Sequence, residues 1–181
     1  MGIPPQNSLR EHNAVRGTNE TVRLIRVGGK FMKKDIALLL LRLAGIGLAV
    51  AHGWGKVSAL ATGGGDRFIG GVEALGFPLP ALFAWAAALA EFGGGLFVAL
   101  GIGARVSAAF AAFTMFVAAF ARHKFHLHLL VSLGLMRASP DVVKGWGNPE
   151  MALIYLVCFL AIVLMGGGRF SLDHLVLKRR K

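Results

Sequence analysis

Apolar residues gather into four long runs, at about 36–55, 79–101, 104–122 and 150–166, with glycine, proline and charged residues in the gaps. A helix crossing the ~30 Å hydrocarbon core of a bilayer needs about 20 such residues. The first three runs come close to or exceed that length, and the fourth is short. The pattern predicts an all-α polytopic membrane protein, an antiparallel four-transmembrane-helix bundle over residues 34–168. The short turn at Gly101–Arg105 joins the second and third spans. The stretches at about 53–78 and 122–150 are longer loops on the opposite face.

The gaps carry their own signals. Gly63–Gly65 and Gly70–Gly71 predict a flexible loop, and Pro78 and Pro80 pre-set the start of the second span, where a proline in the first turn is tolerated. Gly166–Gly168 stops the fourth helix. Ser171 then stands where it can cap a short segment carrying Phe170, Leu172, Leu175, Val176 and Leu177 and ending in Lys178–Lys181. This predicts a short C-terminal interfacial helix held by anionic head groups, with an untethered basic tail over 169–181 as the alternative.

Composition supports lipid as the solvent. The chain has 181 residues, 55% hydrophobic and 16% charged, with mean hydropathy +0.63, against ~25% charged in an ordinary soluble domain. Its formal charge of +11 does not form a basic face with interleaved aromatics, so no nucleic-acid partner is expected. The cations instead flank the apolar runs, at Arg10 to Lys34 before the first and Arg169 to Lys181 after the fourth. That places both termini in the cytoplasm. Arg122, Lys124, Arg137 and Lys144 in the outward loop blur this bias. Residues 1–33 read as a basic, flexible extension, and Met32 is a second candidate start. A secretory signal, with Ala49-Val50-Ala51 as its cleavage site, is the competing reading; Arg42 interrupts its apolar region.

Two charges lie inside the apolar runs, Arg42 and Glu91, and each alone would cost ~3 kcal/mol or more in the membrane. Measured from Asp35 and from Gly101, their depths are about 10 and 15 Å at 1.5 Å per residue. The arithmetic predicts an intramembrane Arg42–Glu91 pair. It leaves open whether that pair only fixes helix register, whether Glu91 handles protons or a ligand, or whether both charges snorkel unpaired. Gly93–Gly95 allow a neighbouring backbone to approach.

At the far ends of the first and third spans, His52, Trp54 and Lys56 face His123, His126 and His128. On a helix His123 and His126 could converge while His126 and His128 diverge. No carboxylate completes a shell, so no metal is expected, and interfacial histidines or contacts to a quinone or substrate head group remain open. Phe110, Phe113, Phe116 and Phe120 form a lipid-facing or packing stripe. Cys158 is the chain's one cysteine, which excludes an intrachain dithiol.

The ordered set Leu41-Arg42-Leu43, Ala51-His52-Gly53-Trp54-Gly55-Lys56, Gly76-Phe77-Pro78, Ala90-Glu91-Phe92-Gly93-Gly94-Gly95, Leu100-Gly101-Ile102-Gly103-Ala104-Arg105 and Gly166 to Asp173 resembles the DoxX family of small four-helix bacterial membrane proteins. The resemblance covers about residues 36 to 175. It implies a role as an accessory or quinone-associated subunit of a membrane oxidoreductase system, with no covalently bound cofactor and a quinone as the implied ligand. It places Arg42, His52, Lys56, Glu91 and Arg105 at the family's recurring polar positions. The stretch from His123 to Met136 departs from the family pattern. A non-catalytic scaffold or stress-response protein, and a small transporter or proton-handling protein using Glu91, are the alternatives. Expected partners are membrane lipid, an oxidoreductase subunit and a second copy of the chain in a homo-oligomer.

Overall fold

The structure, a computed structural model, describes residues 32–179, with side chains through Val176. The expected extension at 1–33 therefore falls almost wholly outside the described residues. The bundle lies within one compact unit that begins at Leu38. Regular structure among the described residues is entirely helical. The helices are α1 (Met32–Ala61), α2 (Asp66–Glu73), α3 (Pro80–Leu100), α4 (Ala104–Arg122), α5 (Phe125–Ser132), α6 (Pro140–Trp146), α7 (Glu150–Met165) and α8 (Leu172–Arg179). α1, α3 and α4 are each long and apolar enough to cross a membrane. α6 and α7 meet the same test only as a pair, bent by 40° at their break, which is the form of a broken span or of a re-entrant loop.

Packing follows membrane rules, with small residues inside and large ones outside. Ala104, Ala108, Ala111 and Ala112 of α4 are buried against Ala152, Leu156, Phe159 and Ile162 of α7. On the outer side of α4, Phe110 and Phe113 are each 62% exposed. Water would not tolerate that stripe, whereas lipid chains solvate it. Phe120 turns inward and stacks on Phe116, with ring centroids 4.7 Å apart.

α1 and α3 pack backbone to backbone. Gly45, Ala49 and Gly53 recur every fourth residue and so share one stripe of α1. A Cβ on Gly45 would strike the Gly95 carbonyl, and one on Gly53 would lie 2.5 Å from the Phe92 nitrogen. These contacts run in opposite numerical order along the two helices, so the pair is antiparallel. Both helices loosen into a π-helical turn where they meet, at Leu48–Gly53 and at Ala90–Gly94.

The ends of α3 obey local chemistry. Pro80 occupies its first turn. Gly101 closes it with φ 72°, and the Ile102 N–H reaches back to the Phe97 carbonyl at 2.9 Å, the six-to-one bond of a glycine-stopped helix.

Two expectations need correction. The first span was placed at 36–55, but α1 continues to Ala61. The glycine-rich loop after it contains helix α2 despite Gly70 and Gly71, because α2 packs its buried Val72 against the rest of the bundle. Tertiary burial outweighs the ~1 kcal/mol that each helical glycine costs.

Candidate functional site

At the Gly101 end, Arg42 is only 3% exposed. Its guanidinium is consumed by backbone carbonyls: Nε donates to Val98 O at 3.0 Å, Nη2 to Ala99 O at 2.6 Å and Nη1 to Gly167 O at 3.2 Å. The last turn of a helix leaves four carbonyls without intrahelical partners. Arg42 thus caps the end of α3 from the neighbouring helix, where a cation also favours the dipole. The segment after α7 completes the arrangement. The Asp173 carboxylate accepts from Gly103 N at 2.8 Å and Ala104 N at 3.0 Å, capping the start of α4. The Ser171 hydroxyl accepts from His174 N at 3.2 Å and caps α8.

The expected Arg42–Glu91 pair does not form. Glu91, 3% exposed, sits in the π-helical turn of α3 beside Gly53. Arg42 is eleven residues earlier on α1, about 16 Å along a helix. The depth arithmetic set Asp35 level with Gly101, whereas packing sets Arg42 there: a Cβ on Gly101 would lie 3.0 Å from Arg42 Cζ. The reference point was off by seven residues, about 10 Å.

Glu91 is instead paired with Lys56. The Lys56 ammonium lies 2.6 Å from both carboxylate oxygens, with side-chain exposures of 31% for Lys56 and 4% for Glu91. The lysine reaches inward from the end of α1 and stays partly accessible, so it neutralises a buried charge without full desolvation of its own. Its Nζ also lies 5.1 Å from the centroid of Phe68 on α2. Trp54 and Phe92, neighbours in sequence of Lys56 and Glu91, pack on each other with ring centroids 5.5 Å apart. His52 is exposed and meets buried Tyr155 of α7 edge-on at 5.9 Å.

The remaining site residues scatter. Arg105 lies at the Gly101 end, where Nη2 donates to Leu164 O at 3.3 Å and ties α4 to α7. It is remote from the Lys56–Glu91 pair. His123 and His128, rather than His123 and His126, converge. Their rings lie 3.2 and 2.9 Å from the consecutive carbonyls of Trp146 and Gly147, and His126 is exposed. Burial, the largest influence, holds the His123 imidazole below its ordinary 6.5; the bond to Trp146 opposes this, and Arg122, His128 and Lys56 add to it. Among the described residues no three His, Cys, Asp or Glu side chains are grouped to hold a metal ion.

Sequence reasoning missed Phe68, Tyr155 and Asp173. Tyr155 is the chain's one tyrosine, inside an otherwise apolar run, and that contrast was a usable signal. Asp173 sits in the quoted Gly166–Asp173 motif, where a carboxylate two residues past a capping serine pointed to a role.

These features define a small all-α membrane protein with the buried Lys56–Glu91 ion pair near one end and an arginine–carbonyl clasp at the other. The DoxX family model matches residues 37–124. That stretch of the chain is similar to the DoxX family. The chain is also similar to the inner membrane protein YqjF of Escherichia coli (strain K12), at 29% identity over 150 residues, covering 82% of this chain and 99% of that protein. No solved structure matches.

Proposed function

We propose that the chain is a multi-pass protein of the bacterial inner membrane that serves as an accessory, quinone-associated subunit of a membrane oxidoreductase. In this reading four antiparallel crossings leave both termini in the cytoplasm, and α8 lies along the inner interface. The basic flanks, the similarity to an inner membrane protein and the exposed Leu172, Leu175 and Val176 of α8 support that placement.

The observation that carries the functional reading is the Lys56–Glu91 pair. A quinone head group is a flat ring with two carbonyl acceptors, and it reaches a protein through lipid. Lys56 and His52 supply donors, and Trp54 and Phe92 supply aromatic faces near the same end of the bundle. A single cysteine cannot cycle as a dithiol, so the electrons belong to a partner. Purification from native membranes in mild detergent tests this: an oxidoreductase subunit and a quinone should accompany the chain, and an isolated oligomer without quinone would contradict it.

A non-catalytic scaffold is the second reading. It is favoured by the Arg42 clasp, in which each guanidinium nitrogen donates to a backbone carbonyl.

A further inference from the structure

The segment between α4 and α7 was expected to be an outward loop, yet it is built from α5 and α6 and turns leucines away from the protein. Leu129, Leu130, Leu133 and Leu135 are 46%, 37%, 62% and 72% exposed, and Val142 of α6 is 49% exposed. α5, with the sequence FHLHLLVS, is polar only at its two histidines and final serine. His128 is occupied by the Gly147 carbonyl and stands edge-on to Trp146 at 5.3 Å, so the α5–α6 hairpin is closed on itself. In water the leucines would form an apolar patch of the kind that marks an interaction surface.

Topology says where that patch lies. α4, apolar enough to cross a membrane, ends at Arg122, and α7, bent by 40° from α6, is the next long apolar helix. The hairpin therefore starts and ends at a membrane boundary. Its leucines are interleaved with cations: Arg122, Lys124, Arg137 and Lys144 stand against Asp141 and Glu150, four positive charges against two negative. Arg122, Arg137 and Lys144 are exposed. Apolar side chains beside cations at a bilayer surface fit acyl chains with anionic head groups above them.

We infer that the α5–α6 hairpin is an interfacial element that lies in the outer leaflet, its leucines among acyl chains and its cations on anionic phospholipid head groups. This goes beyond the quinone reading: the interfacial placement needs α4 to cross the bilayer, and the choice of the outer leaflet rests on the orientation proposed above.

The test uses the full chain in nanodiscs, with Cys158→Ala removing the native thiol. A spin label is placed at Leu133→Cys and, as a membrane control, at Phe113→Cys. Collision with oxygen, which partitions into lipid, is compared with collision with a water-soluble nickel chelate. Both labels should favour oxygen. In discs containing phosphatidylglycerol the Leu133 label should shift deeper than in pure phosphatidylcholine, and Arg137→Glu with Lys144→Glu should abolish that shift. A Leu133 label favouring nickel while Phe113 favours oxygen would overturn the proposal and leave the crossing intact. A Leu133 label shielded from both reagents would also overturn it, in favour of a second copy or a protein partner. A depth indifferent to phosphatidylglycerol would overturn the anionic head-group assignment.

Discussion

Glu91 loses nearly all its water and keeps one cation in exchange. Removing one partner of a fully buried pair costs ~3–5 kcal/mol. Lys56 is 31% exposed, so solvent screens its share and Lys56→Met should cost about 2 kcal/mol. Lys56→Met combined with Glu91→Met should recover most of that loss, since no charge is then stranded. Unfolding of the two single variants and the double variant in detergent checks this, and additive losses would mean that the pair contributes no coupling. A second prediction concerns protonation. The folded state holds the His123 imidazole below its ordinary 6.5, so the unfolded chain binds the proton more readily. The stabilising contribution is present above pH 6.5 and is lost as pH falls through the depressed folded value. Melting temperature in detergent should fall between pH 7 and pH 5, and His123→Gln should flatten the decline.

Among the helices, contact between α1 and α3 is decided by what is absent from three glycines. Gly53→Val would push a branched side chain into the Glu91–Phe92 backbone and should cost ~1–3 kcal/mol or more by overpacking, while also spreading Lys56 from Glu91. Gly70→Ala in α2, where an added Cβ meets nothing within 4 Å, should instead stabilise by up to ~1 kcal/mol. Thermal unfolding of both variants separates a packing glycine from a merely flexible one. This contrast also marks how far the sequence could be read. The start of α3 at Pro80 and its stop at Gly101 were legible, because proline and glycine act on their own backbone. The register of α1 on α3 was not, since it depends on which backbones can touch and on π-helical turns that no residue type announces. The depth estimate for Arg42 and Glu91 failed for that reason. Likewise α2, α5 and α6 were read as loops, because their helicity comes from contacts distant in sequence.

For the whole molecule, the two ends of the bundle have different chemistry. At one end Arg42, Arg105, Ser171 and Asp173 are tied to backbone groups, which closes the helix termini and links the segment after α7 to the α3–α4 turn. At the other, Lys56 and Glu91 pair side chain to side chain, and His52, Trp54 and Tyr155 make ring contacts. Most of these polar residues were legible as a set from the family pattern, and their partition between the two ends was not. On the function proposed above, the Lys56–Glu91 end receives a quinone. The most direct measurement is the quinone content of protein purified from its native membrane, as wild type and as Glu91→Gln. The claim predicts quinone in stoichiometric amount with the wild type and a marked loss from the folded fraction of the variant. Absence of quinone from the wild type, or an unchanged content in Glu91→Gln, would contradict it.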